Sequence, residues 1–310
     1  MVSREKDRLS AAWLNGLVLE RPEALVALSE RIYNNQIRQA ADAIARKRGV
    51  CSILLLSGPS ASTKTTTAGK LSAKLARRGV HSVVISLDNF FLNQEQVPLL
   101  PNGKPDYESL NTMDLVRLSE CIEELFHKGE SDFPVFDFVR QCRSEEVQHI
   151  CVNEETILIM EGIHALNPII SQGHDPSGFI KLFISPNSDY FVDDQKILTA
   201  RDIRLVRRLV RDYFHRGTSV DKTMDMWVGV VKGEIANILP YKTEADLIID
   251  STILYEPNIY ETYLDRILAK SEIRDIYQPK IRKLTNALAQ FVPLPEKYIP
   301  AETVLHEFLE

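Results

Sequence analysis

The sequence predicts an α/β fold: a parallel sheet with helices on both faces, lengthened by helical segments at each end. Three observations carry this. Short runs rich in Ile, Leu and Val alternate with stretches of helical periodicity along much of the chain. One such run, Ile53 to Leu56, leads through Gly58-x-x-x-x-Thr63-Lys64-Thr65 directly into a helical pattern. Finally, Thr65, Asp88 and Glu161 all fall at or just past the ends of expected strands, where ligands sit in sheets of this kind.

The elements follow in order. Residues 22 to 48 read as a helix opened by Pro22, with Leu25, Leu28, Ile32, Ile37 and Ile44 on its apolar face, Arg46, Lys47 and Arg48 in its last turn, and Gly49 as its stop. The first strand, the glycine-led loop and a helix to Arg78 come next, with Leu71 and Leu75 one turn apart. Ser82 to Leu87 reads as a second strand ending at Asp88, and a stretch with Pro98, Pro101, Gly103 and Pro105 as a long loop. A helix from about Asp114 to His127 precedes strands near Pro134 to Phe138, Thr156 to Met160, Phe179 to Ile184 and Ala245 to Ile249, with an Arg-rich helical region before the last. The remainder reads as a helix from Tyr260 to about Leu288, a proline-broken tail, and a last amphipathic helix from Ala301 to Glu310 that packs without forming a site. The expected partition is an N-terminal helical extension over 1–49, a core over 50–256 with an arginine-rich lid near 201–217, and a C-terminal helical appendage over 257–310.

Composition bounds the function. At 310 residues and 44% hydrophobic the chain can bury a full core. A formal charge of −6 gives no global pull toward nucleic acid or membrane. The four cysteines form no C-x-x-C pair, so free thiols in a reducing compartment are expected and a zinc site is not. No apolar run reaches the roughly 20 residues of a membrane span and the start lacks a signal-peptide core, so a cytoplasmic location is the expectation.

The loop carries the chemistry. A nucleotide-phosphate loop follows G-x-x-x-x-G-K-[ST]; its backbone N–H groups cradle phosphates, its lysine reaches the outer ones, and the next hydroxyl binds magnesium. Gly58, Pro59, Ser60, Ala61, Ser62, Thr63, Lys64, Thr65 and Thr66 occupy that segment, with Thr63 standing where glycine belongs. A β-branched residue there costs roughly 1–3 kcal/mol if the backbone must adopt glycine-like dihedrals. The segment therefore points to an ATP-dependent enzyme and also to a damaged one.

Arg201, Arg204, Arg208 and Arg211 recur three and four residues apart, placing four cations on one helical face that Asp202 and Asp212 compensate only in part. A lid over phosphates accounts for such a face better than a solvated surface does. Asp88 taken alone reads first as a strand-end or helix-capping carboxylate, and Glu161 has the alternative of a carboxylate at a helix N-terminus; in context both read as functional. His164 reads as a helix-start packing residue and His215 as lid surface.

Together SGPSASTKTT (57–66), SLDNFF (86–91), DYESLNTMD (106–114), FPVFDFVRQCR (133–143), IMEGIHALNP (159–168) and DIRLVRRLVRDYFHRG (202–217) resemble the uridine kinase and phosphoribulokinase group of P-loop kinases. ADLIIDS (245–251) and the tail from Val292 resemble a bacterial subgroup, the uridine-kinase-like half often found behind a synthetase-like segment; no such segment is among these 310 residues. The resemblance spans roughly residues 22 to 310. It implies a P-loop NTPase-type sheet, ATP and Mg2+ as cofactors, a small-molecule substrate, and self-association for which no residue marks an interface.

The resemblance also assigns roles. Asp88 matches the catalytic base, Lys64 the phosphate-reaching lysine, and Thr65 with Glu161 the magnesium-holding pair. Arg211 and Arg216 match phosphate-clamping arginines, and Arg208 and Arg143 fall on the substrate side. Where relatives bind ribose hydroxyls through an aspartate, Glu108 takes the place, with Asp106 as neighbour; where a tyrosine and a histidine contact the base, Phe136 and Gln141 stand. Phe136, like Phe90, Phe91 and Phe138, taken alone reads first as core. The expected activity is phosphorylation of a hydroxyl, foremost the 5′-hydroxyl of a uridine- or cytidine-like nucleoside. A nucleotide-binding module that no longer catalyses, and a kinase of a sugar phosphate or vitamin precursor, are the alternatives.

Overall fold

The computed structural model describes residues 7–47, 53–99, 103, 105–137, 140–153, 155–173 and 175–309. In chain order its elements are β1 (Asp7–Ser10), α1 (Ala11–Glu20), α2 (Pro22–Ala45), β2 (Ile53–Ser57), α3 (Lys64–Ala76), β3 (Ser82–Ser86), α4 (Leu115–Lys128), β4 (Glu130–Asp137), β5 (Cys142–Cys151), β6 (Ile157–Glu161), β7 (Phe179–Ser185), β8 (Ser188–Val192), β9 (Gln195–Leu198), α5 (Ala200–Arg216), α6 (Val220–Gly233), β10 (Leu247–Asp250), α7 (Pro257–Leu268) and α8 (Gln278–Leu288). Five strands form one sheet in the order β10-β7-β2-β6-β3, every neighbouring pair parallel. β2 lies at its centre, so the chain leaves it toward β3 on one side and returns across it from β6 to β7. Such a reversal opens a crevice at the carboxyl ends of the strands.

The period-2 geometry of the strands divides the core in two. Leu54 and Leu56 of β2, Ile157 and Ile159 of β6, and Ile180, Leu182 and Ile184 of β7 point into one cluster, shared with α2, α3, α5, α7 and α8. Ile53, Leu55, Leu158, Met160, Phe179 and Phe183 point the other way, toward α4 and the β4–β5 hairpin. Both faces of β2 and β6 are thus dry, which is why these strands read as unbroken apolar runs rather than as alternation.

Several expectations are corrected. The helix expected from Tyr260 to Leu288 is two, α7 and α8, with turns between them. The last helix, Ala301 to Glu310, reduces to a short 3₁₀ turn, Val304–Glu307; its Val304, Leu305, Phe308 and Leu309 are buried, so packing and not helical propensity shapes it. α2 ends at Ala45, short of the expected 48; the stop at Gly49 lies outside the described residues, as do Pro101 and Phe138. β3 ends at Ser86, and Asp88 follows in a 3₁₀ turn, Leu87–Phe90. β1, β8 and β9 form a separate small sheet, and β5 pairs antiparallel with β4; none of the four was expected. Their strands are short or polar, and pairing rather than sequence pattern defines them. Cys121, Cys142 and Cys151 are free thiols. Among the described residues no helix is long and apolar enough to cross a membrane.

Candidate active site

The loop from β2 to α3 is the centre of the site. Gly58 is there because nothing larger fits: a Cβ would lie 2.0 Å from the Ile184 carbonyl oxygen. Thr63 adopts φ 68° and ψ 28°, the left-handed conformation that favours glycine, and Ala61 has φ 60°. The backbone therefore keeps the shape that the pattern demands, at a cost of roughly 1–2 kcal/mol for each residue held there. The Thr63 side chain turns into the core and away from the cradle. It is fully buried, donates to the Ser62 carbonyl at 2.6 Å and lies 3.3 Å from Thr67 Oγ1. Thr67 in turn donates to the Thr63 carbonyl at 2.5 Å, so Tyr33 of α2 is the donor in the 2.6 Å bond between its hydroxyl and Thr67. Burial pushes the Tyr33 phenol up to about 12.

Lys64 opens α3 and bends back across the loop, donating to the Pro59 carbonyl at 3.3 Å. Burial lowers the pKa of its ammonium, against the pull of Glu161, Asp88 and Glu307. Burial likewise raises Asp88, opposed by Lys64, Arg216 and Arg211. Glu161, at the end of β6 and only 4% exposed, is pushed up to about 7, first by burial and then by the charge of Asp88. Three groups from the carboxyl ends of β2, β3 and β6 thus share one electrostatic neighbourhood. Thr65 donates to Glu161 Oε1 at 3.0 Å. Two oxygen ligands on adjacent corners of a magnesium octahedron stand about 3 Å apart, so this hard-oxygen pair fits the ion. Its charge would also relieve the crowding of carboxylates that raises Glu161.

α5 lies against the loop along its arginine face. Arg204 Nε donates to the Ser60 carbonyl at 2.8 Å, and Arg208 Nη1 to Ser60 Oγ at 2.8 Å. The compensation missing from the helix itself comes from elsewhere. Glu234, in a π-helical turn after α6, accepts from Arg201 at 3.1 Å and Arg204 at 2.9 Å. Asp212 gathers Arg208, Arg211 and Arg216 at 3.2, 2.7 and 3.5 Å. The half-exposed Arg216 has its pKa lowered, by partial desolvation and then by repulsion from Arg211. Arg204 Nη2 and Ser62 Oγ are buried beside the loop with no hydrogen-bond partner. Buried polar atoms left in this state mark a place for a ligand or water.

Asp106 and Glu108, both expected to meet the acceptor, separate. Asp106 Oδ1 accepts from the Glu108 backbone N–H at 3.3 Å and shapes the turn, while the Glu108 carboxyl feels Arg208, Lys64 and Asp88. Burial raises Glu108, and Gly233 admits its side chain: a Cβ there would lie 2.3 Å from that of Glu108. Phe136 is half-buried, packs edge-on against Phe91, and its N–H donates to Asn89 beside Asp88. Gln141 has φ 54° and accepts from the Gln94 N–H through its carbonyl. Arg143 is held by Asp114 at 3.1 Å.

His164 is buried in turns after β6, not at a helix start, with neither ring nitrogen bonded; burial lowers it to about 4. His215 is exposed and bonds the Leu309 carbonyl at 2.7 Å. Sequence reasoning missed Glu234, the buried Arg207–Glu256 pair, and Glu307. The last belongs to the tail read as mere packing, yet its Oε2 accepts from Thr66 Oγ1 at 2.6 Å and from the Thr66 N–H at 3.4 Å. No pattern in the sequence signals that contact. A mixed donor set, Glu130, His149 and Cys151, stands exposed at the open end of the β4–β5 hairpin; Asp132 and Glu130 already pair with His149 there, so cross-strand ion pairing accounts for it.

The profile of the phosphoribulokinase / uridine kinase family matches residues 53–254. A uridine kinase of Lactobacillus helveticus is 30% identical over 199 residues, 64% of this chain and 85% of that protein. One of Ligilactobacillus salivarius is 27% identical over 230 residues, 74% of this chain and 95% of that protein. The phosphoribulokinase from Rhodobacter spheroides superposes with a TM-score of 0.45 at 14% identity, covering 67% of this chain and 74% of that one.

Proposed function

Because the chain belongs to the phosphoribulokinase / uridine kinase family, we propose that it is an ATP- and magnesium-dependent kinase of a small-molecule hydroxyl, with the 5′-hydroxyl of a uridine- or cytidine-like nucleoside as acceptor. The observation that carries the reading is the convergence of Lys64, Asp88 and Glu161, whose charges act on one another, beside a glycine-led loop whose Lys64 reaches the Pro59 carbonyl and whose Thr65 bonds Glu161. Phosphoryl transfer asks a protein mainly for positioning and charge neutralisation.

Each part has a candidate here. The loop amides and Lys64 would hold the phosphates, and Arg211 and Arg216 would face the transferring group. Thr65 and Glu161 would hold magnesium, which when bound neutralises phosphate charge. Asp88 would take the acceptor's proton, and the burial that raises its pKa makes it a stronger base than an exposed aspartate. On the acceptor side, Glu108 would bind ribose hydroxyls and Phe136 would stack on the ring, with Gln141 offering both a donor and an acceptor to its edge. Arg208 and Arg143 would flank them, while the Asp106 carboxylate is engaged by the turn.

A second reading, a nucleotide-binding module without catalysis, rests on the strained Thr63. An ADP-release screen over nucleosides and phosphorylated sugars separates the two and fixes the acceptor. With the true acceptor, Lys64→Ala and Asp88→Ala are expected to lower turnover by roughly 10²–10⁴-fold. Full activity in both variants would sink the assignment.

A further inference from the structure

In a phosphate loop the N–H groups and hydroxyls at the start of the helix are the donors that meet the ligand's anionic oxygens. Here one of those positions is already served from within the chain. Thr66, the third residue of α3, gives both its hydroxyl and its N–H to the Glu307 carboxylate. Neighbouring contacts hold the tail in place. Lys70 Nζ donates to the Glu302 carbonyl at 2.6 Å, the Thr303 and Tyr255 hydroxyls are bonded at 2.9 Å, and His215 bonds the Leu309 carbonyl. Phe308 packs under the Arg207 guanidinium, 5.3 Å from its ring centroid. With Val304, Leu305, Phe308 and Leu309 all buried, Glu307 is presented to the loop by a built turn, and its charge reaches Lys64.

We propose that Glu307 is an internal stand-in for phosphate that competes with the nucleotide for the Thr66 donors, so that this tail residue sets nucleotide affinity. The inference rests on the loop being a nucleotide site. Two anions cannot share these donors, because like charges held this close in a partly dry site repel strongly. A nucleotide phosphate arriving at Thr66 must turn the carboxylate aside, and part of its binding free energy is spent doing so. Without a nucleotide, Glu307 keeps the helix start satisfied and gives Lys64 a partial counter-charge.

A simple capping role predicts the opposite response to substitution, because a cap that does not compete leaves affinity unchanged or weakened when it is removed. The test is calorimetric titration of ADP, without divalent cation, into the full chain and into Glu307→Gln and Glu307→Asp. The first variant keeps size and removes charge. The second withdraws the carboxylate by one methylene and guards against a folding defect in the first. Competition predicts ADP binding about tenfold tighter in Glu307→Gln, with a smaller gain in Glu307→Asp. ADP binding of equal or lower affinity in the variants would overturn the proposal and leave the nucleotide site standing. Absence of ADP binding in all three proteins would overturn both.

Discussion

At Glu161 the balance of burial and charge gives a pH dependence with a definite sign. Its folded pKa of about 7 exceeds the ordinary value of 4.5, so the folded chain binds the proton more readily than the unfolded one. That stabilisation is complete below pH 4.5 and is lost as pH rises through 7, a loss of about 3 kcal/mol. Glu161→Gln does not titrate and is expected to lack this decline. Urea unfolding at about pH 5 and about pH 8 in the presence of a chelator measures it, and parallel declines in both proteins would contradict the assignment. Thr63 calls for a different experiment. Its left-handed backbone costs roughly 1–2 kcal/mol, while its buried hydroxyl bond returns about 1 kcal/mol, so Thr63→Gly should stay within about 1 kcal/mol of the parent. Because the side chain faces the core, ADP affinity should move by less than about threefold. A large gain in turnover would instead show the threonine to be a lesion. The sequence exposed the oddity at 63 through its pattern, but the direction of the side chain depends on Tyr33 and Thr67, which no local motif reveals.

Among the elements, α5 shows how far a charge pattern can be read. The three- and four-residue spacing of Arg201, Arg204, Arg208 and Arg211 placed them on one face and implied missing anions. The structure supplies Glu234 from the π-helical turn and concentrates three arginines on Asp212. Arg207 is not among those four arginines. It is instead fully buried and bidentate with Glu256, at 2.8 and 2.9 Å, and it also bonds the carbonyls of Ala61 and Ser251. Burial disfavours its charge, but Glu256 more than compensates and holds its pKa above the ordinary value. Arg207→Met strands a buried carboxylate and is expected to cost about 3–5 kcal/mol in urea unfolding. Adding Glu256→Gln should recover part of that loss; an additive pair would mean the two side chains do not act together. α7 and α8 were read as one helix because apolar spacing continues past Leu268, whereas turns interrupt the backbone between them.

For the whole molecule, the parallel core was legible because both faces of its central strands are dry, which leaves continuous Ile and Leu runs in the sequence. The small β1-β8-β9 sheet was not, since four- and five-residue strands owe their existence to pairing across long stretches of chain. The position of the tail was illegible for the same reason. One apolar cluster takes in Leu14 of α1, Tyr33 of α2, Leu71 of α3, Leu264 of α7 and Phe308 of the tail. Its reach matters most at Tyr33, whose phenol steadies Thr67 directly behind the strained loop. A helix near the start of the chain and a turn near its end therefore brace the same bend, one through Thr67 and the other through Thr66. Local opening at either end should accordingly loosen the bend, and anything that clasps the bend from outside should be felt as protection at either extremity.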